Sequence, residues 1–416
     1  MPTASSPRHR PRPGVLGRWR RGARSLMLAL VLPALACGGS QKPKKTSNES
    51  TITLGKARDA ARTGDVEKAD RLYETSYQQK ARYGTLQEHV DFLISSARFD
   101  RAVQLARGFF ESESADPRGF ELYARALLAA GQAREALDVA DQLVQLEDTN
   151  PRGHGLRGRA LLLLGRADEG IEELQRAVAI DGKSPELLLA LGEALLKVNR
   201  IDEASLRLRS ATRQAPENAR AAALLGAALR EQGEIEESRQ FLDKAIEIDP
   251  TDGRAYFELG ILFNKLSQQG DPAAKADLAA QAEAALAKAV EFGGDDSTFW
   301  YAYGEISRLN KKIDQAATAY RRAVDLKPPH PKAPGKLAMV LMEANRYDEA
   351  EVLLTAQLRN DPSNGQNYYY LGAVYAHVRK FKLAIDAYEK FLQLAAKDDR
   401  ERPRVKKAIE ELKRRL

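Results

Sequence analysis

The sequence predicts an all-α protein, an αα-superhelical solenoid of about ten helix pairs closed by a C-terminal capping helix. Three observations predict it. Leu191-Gly192, Leu225-Gly226 and Leu259-Gly260 recur at intervals of 34 residues, a period at which repeat proteins stack short supersecondary units. Twelve residues after each glycine of the regular units stands a second small residue, Ala204 after Gly192 and Ser238 after Gly226. Each of these units then reaches a proline, Pro216 and Pro250, which cannot continue a helix.

The chain of 416 residues opens on a segment of another kind. Arg18, Arg20, Arg21 and Arg24 precede the apolar run from Leu26 to Ala36. A basic stretch followed by a short apolar core is the layout of a secretory signal, and the run is too short to span a bilayer. It ends in Ala34-Leu35-Ala36-Cys37 and is followed by Gly38-Gly39-Ser40. These residues resemble the lipobox of bacterial lipoproteins, with Ala34 where leucine is commoner. The resemblance implies a signal peptide over 1–36 and a lipidated Cys37 as the mature N-terminus. Several acyl chains would anchor it stably, as one myristoyl chain would not. Gly38 in place of aspartate implies sorting to the outer membrane. Polar residues up to position 50 read as a flexible tether.

From residue 51 to 397 the repeat takes over. Its packing position is traced through Ala57, Val90, Ala124, Gly158, Gly192, Gly226, Gly260, Gly304, Ala338 and Gly372. Two antiparallel helices per unit explain the pattern, because small residues on each let the pair approach closely. Trp300 and Tyr375 complete a motif that resembles the tetratricopeptide repeat. Gly260 and Gly304 are 44 residues apart, so one unit carries ten extra residues, placed as a helix extension at about 267–280 with Asp271 as N-cap and Pro272 as first helical residue. Residues 398–416 then carry Val405, Ile409 and Leu412 at helical spacing, suited to a polar-faced cap.

Charge and motif searches exclude most chemistry. The net charge of +7 comes from seven arginines ahead of Cys37, so the remainder is balanced and does not call for nucleic acid. One cysteine excludes a disulfide framework. His89, His154, His330 and His377 fall in different units without metal-ligand spacing. Gly153-His154-Gly155-Leu156-Arg157-Gly158 matches a dinucleotide fingerprint but follows helix and turn, whereas that fingerprint needs a strand before it. No catalytic residues, cofactor, metal or small-molecule substrate are expected.

The resemblance to the tetratricopeptide family implies instead a concave groove. It is lined by first-helix residues at −6, −3, +1, +4 and +5 from the packing position. Carried over, these places give Arg118, Arg125, Arg152, Arg159, Arg220 and Arg254 as a basic stripe. Phe257, Tyr301 and Tyr369 form an aromatic shelf, with Asn264, Lys265 and Arg308 nearby. Arginines and aromatics are frequent binding anchors. The reading is a lipid-anchored, periplasm-facing scaffold of the bacterial outer membrane that binds protein partners, as part of a secretion, pilus, motility or export complex. The alternative is an accessory factor of peptidoglycan or polysaccharide metabolism that binds glycan or activates a synthase.

Overall fold

The structure, a computed structural model, describes residues 45–113, 115–269 and 272–416. The expected signal peptide, Cys37, the first part of the tether and the expected N-cap Asp271 lie outside these residues. Among the described residues there are 21 helices and no strand.

The helices form ten consecutive pairs. The first five are α1 (Lys45–Arg62) with α2 (Val66–Gln79), α3 (Tyr83–Ser95) with α4 (Phe99–Ser112), α5 (Pro117–Ala129) with α6 (Ala133–Leu146), α7 (Pro151–Leu163) with α8 (Ala167–Ile180), and α9 (Pro185–Lys197) with α10 (Ile201–Gln214). The next three are α11 (Ala219–Gln232) with α12 (Ile235–Ile248), α13 (Gly253–Gln269) with α14 (Pro272–Phe292), and α15 (Ser297–Leu309) with α16 (Ile313–Asp325). Two more, α17 (Ala333–Glu343) with α18 (Tyr347–Asn360) and α19 (Gly365–His377) with α20 (Phe381–Leu394), precede the single helix α21 (Arg402–Lys413). Each helix packs on the next, and first helices of neighbouring units also touch, α3 on α5, α5 on α7, α7 on α9 and α9 on α11. The odd-numbered helices therefore make the inner layer of the solenoid.

Local sequence starts and stops the helices. Asp116, Asn150 and Ser184 accept hydrogen bonds from backbone N–H groups at the starts of α5, α7 and α9, each followed by proline in the first turn. At the end of the first helix the chain turns through a left-handed residue, Gly64, Gly131, Gly165 or Gly233 in four units, where glycine carries no steric penalty. Asn199, Lys311 and Asn345 adopt the same conformation in others.

The packing position works as expected, and it also admits a larger partner. A Cβ on Gly226 would lie 3.1 Å from the Ser238 carbonyl, so the small residues do allow close approach. It would also lie 2.6 Å from Leu242, whose side chain fills the space over the glycine. The Ser238 hydroxyl adds a buried bond, donated at 2.7 Å to the Gly226 carbonyl.

Two expectations need correction. The tether does not run to residue 50, because α1 begins at Lys45 and Ser50 is buried. The Ser50 hydroxyl donates to the Ser76 carbonyl at 3.0 Å and the Ser76 hydroxyl donates to Ser50 at 2.9 Å, which ties the first turns of α1 to α2. The extra ten residues also do not lengthen one helix alone. α13 has 17 residues and α14 has 21, against 13 or 14 in most other helices. Ser267 is buried and Leu266 and Leu278 pack into the local core, while residues 273–277 at the start of α14 are exposed. The cap behaves as expected, with Val405, Ile409 and Leu412 buried against Tyr388 and Phe391 of the last pair.

Candidate protein-binding groove

Five inner helices, α3, α5, α7, α9 and α11, wall a single concavity of about 420 Å³. Its lining follows the repeat register. The +1 column contributes Asp91, Arg125, Arg159 and Glu193, the −3 column Gln87, Glu121, Gly155 and Leu189, and the −6 column Arg152, Glu186 and Arg220. Four of the six expected arginines thus come together in one place. Such a volume is in the range of natural ligand pockets.

The expected basic stripe is, however, charge-balanced. Asp91, Glu121, Glu186 and Glu193 stand among the four arginines. Arg125 donates to Asp91, Arg152 to Glu121 at 3.0 Å and Arg220 to Glu193 at 2.7 Å, each pair bridging two neighbouring units. The bond to Glu121 holds the Arg152 guanidinium above its ordinary value. Burial pushes Glu193 upward, but Arg220 and Lys197 outweigh it and hold this carboxyl below the usual range. The acids occupy the same columns of the sequence as the arginines.

Arg159 stands apart. Solvent reaches its side chain, yet no hydrogen bond or ion pair engages it among the described residues. Crowding by the groove walls lowers its guanidinium from the ordinary arginine value, and the nearby charges of Arg220 and Arg125 add to this while Glu193 and Glu186 oppose it without reversing it. The apolar floor of the same concavity is formed by Leu156, Leu187, Leu189 and Ala190. Gly155 makes the floor possible, since a Cβ there would sit 2.5 Å from Cδ2 of Leu187.

The other expected groove residues are engaged elsewhere. Arg118 forks onto Asp116 at 2.6–3.1 Å and lies 4.8 Å over the Tyr83 ring. Arg254 is on α13 beyond the concavity, 3.6 Å from Glu258 of its own helix. The aromatic shelf does not assemble. Phe257 stacks on Phe299 at 4.8 Å, Tyr301 on His330 at 3.9 Å, and Tyr369 packs on Tyr370, Tyr388 and Phe391. Phe257 meets the next unit, Tyr301 the loop after α16, and Tyr369 its own pair α19 and α20, so the three rings are taken up separately. Lys265 donates to the Arg230 carbonyl at 2.9 Å, closing the end of α11. The Asn264 side chain accepts from Gln268 at 3.2 Å, and Arg308 lies 4.0 Å from Glu305.

The histidines are structural by their contacts. His89 meets Asp70 at 2.6 Å, His154 meets Glu173 at 2.7 Å and His377 stacks on Tyr347. No group of three or more potential metal ligands exists among the described residues. The three glycines of α7 are packing glycines, and Gly158 faces the Gly170 carbonyl, where a Cβ would sit at 2.8 Å.

Comparison with known proteins gives the repeat its name. The pattern of the tetratricopeptide repeat matches residues 122–185 and 189–253, and that of the cytochrome c-type biogenesis protein H TPR domain matches residues 254–402. Anaphase-promoting complex subunit 3 of Schizosaccharomyces pombe is 28% identical over 105 residues, which cover 24% of this chain and 16% of that protein. Among solved structures, a human IFIT1 dimer with PPP-AAAA superposes with a TM-score of 0.52 at 13% identity, covering 86% of this chain and 96% of that one. The same human protein with m7Gppp-AAAA gives 0.52 at 14% identity, covering 83% and 90%. These likenesses establish the fold. The chain is an all-α solenoid built of tetratricopeptide repeats.

Proposed function

We propose that this chain is a lipid-anchored scaffold of a bacterial envelope, holding a protein partner in the concavity of α3 to α11 and supporting an outer-membrane secretion, pilus, motility or export complex. One observation carries the binding part of the reading. Three register columns from five successive units converge on one groove that offers an apolar floor, paired charges along its walls and one unpaired guanidinium. Apolar surface ringed by polar groups is the composition of protein-binding sites. Tetratricopeptide domains bind protein partners as scaffolds, and the matches over residues 122–402 support that general role here.

The anchor rests on Cys37 and the small residues before it. Tethering to a membrane raises the effective concentration for partners on the same surface. In the glycan-binding alternative, sugar rings would stack on Phe257, Tyr301 and Tyr369, and these rings are engaged within the solenoid. The human structural neighbours were solved with PPP-AAAA and m7Gppp-AAAA. A polyanion in the present groove would meet Asp91, Glu121, Glu186 and Glu193, so a nucleic acid is not the favoured occupant.

Membrane fractionation combined with affinity purification tests both halves. The wild-type chain is expected in the membrane fraction with a co-purifying envelope protein. Cys37→Ser should release it in soluble form, and Leu189→Glu, which puts a charge on the groove floor, should lose the partner while remaining at the membrane. Unchanged membrane association of Cys37→Ser would refute the anchor, and unchanged co-purification with Leu189→Glu would refute the groove.

A further inference from the structure

We propose that the centre of the groove receives an internal acidic side chain of the partner: a passing segment whose Asp or Glu pairs with Arg159 while a neighbouring apolar side chain lies on Leu156, Leu189 and Ala190. This rests on the reading of the groove as the partner site and names what the site selects.

Four features converge on this occupant. Arg125, Arg152 and Arg220 already have carboxylates, and Arg159 alone among the groove arginines has none. A guanidinium crowded by protein and by like charges gains most from an arriving carboxylate, whose geometry it matches with two parallel bonds. The apolar floor lies directly alongside, on α7 and α9. Arg159 is also on α7, the middle of the five helices that wall the concavity, with lining residues on both sides. A carboxylate arriving there comes from a segment that enters at one end and leaves at the other, so a side chain rather than a chain terminus supplies it.

The surrounding charges sharpen the choice. Four carboxylates in the walls repel an occupant with a run of acids and favour a single one. Glu186, one unit along on α9, has no ion pair among the described residues and faces the same groove. It is placed to meet a Lys or Arg of the same segment. The expected sequence class is therefore one acid flanked by an apolar residue, with a base on the side of the segment that reaches α9.

Peptide selection on the purified full chain tests this. One random library is displayed with both peptide ends blocked and a second with free C-termini. The blocked library should yield peptides with a single Asp or Glu next to Leu, Ile, Val or Phe. The consensus peptide should bind Arg159→Gln about tenfold or more weakly. Arg159→Lys, which keeps the charge but not the forked geometry, should fall between, and Arg254→Gln, outside the concavity, should bind as the wild type does. Circular dichroism and melting temperature of Arg159→Gln should match the wild type, because no internal bond is removed. Peptides without an acid, or with equal affinity for Arg159→Gln, would overturn the proposal while leaving the groove reading intact if Leu189→Glu still abolishes their binding. Acid selected only at free C-termini would overturn the passing segment. No selected peptide from either library would overturn this proposal and the groove reading together.

Discussion

Arg220 on α11 donates to Glu193 on α9 at 2.7 Å, across the boundary between two repeats. Glu193 is the +1 neighbour of Arg159 in the next unit, so the acid best placed to pair with Arg159 is already engaged by Arg220 and Lys197. The groove is therefore charge-balanced as a whole and locally unbalanced at one guanidinium. This arrangement gives a first prediction. Glu193→Gln should free Arg220 and tighten binding of an acidic peptide. Its cost in stability should be about 1 kcal/mol, because Arg220 is largely exposed while Glu193 is only partly shielded. Thermal unfolding and peptide titration of the variant check both parts, and weaker binding of the acidic peptide would contradict them.

Two glycine-to-alanine changes should act in opposite directions. A Cβ on Gly158 would lie 2.8 Å from the Gly170 carbonyl, which is backbone and cannot swing aside. Gly158→Ala should destabilise by about 1–3 kcal/mol, the usual cost of overpacking. Gly108, inside α4, meets nothing within 4 Å. Gly108→Ala should stabilise by about 1 kcal/mol through helix propensity. Denaturant unfolding of the two variants checks the signs.

The left-handed turns offer a second pair. Lys311 closes α15 at φ 61° and Gly233 closes α11 at φ 86°. Lys311→Gly should stabilise and Gly233→Ala destabilise, each by about 1 kcal/mol, because only glycine adopts this conformation without a Cβ clash. Equal melting temperatures for the two variants would contradict the assignment.

Glu349 should remain ionised in strong acid. Arg346 and then Arg321 donate to it, holding its carboxyl down to about 2. A depressed folded-state value means that whatever this cluster contributes to stability is present above the ordinary glutamate range and is lost as pH falls through about 2. A carboxyl NMR titration should place the Glu349 midpoint near there, well below the ordinary glutamate range.

The fold was legible because its determinants are local and periodic. Gly192, Gly226 and Gly260 mark helix contacts that recur unchanged, and Val405, Ile409 and Leu412 carry the cap by spacing alone. The groove was half legible. The register placed Arg125, Arg152, Arg159 and Arg220 on one surface, where they do meet. Which of them is free depends on partners one unit away, such as Asp91 for Arg125 and Glu121 for Arg152, and pairing is a property of side-chain reach rather than of any column. The aromatic positions misled for a related reason. Phe257 and Tyr369 occupy groove register, but Phe299 and Phe391 stand within stacking distance and take them into the packing. The unit with ten extra residues showed its length in the spacing but not its division between α13 and α14, where Leu266 and Leu278, one on each helix, pack into the same core.

The central claim, that the inner face of α3 to α11 holds the partner, is tested most directly by in-cell photo-crosslinking. One crosslinking residue replaces Leu189 on the groove floor and another replaces Val352 of α18, which is 70% exposed and outside the concavity. The account predicts a discrete protein adduct from position 189 that is absent from position 352. Adducts from position 352 with none from position 189 would contradict it and move the binding surface off the groove.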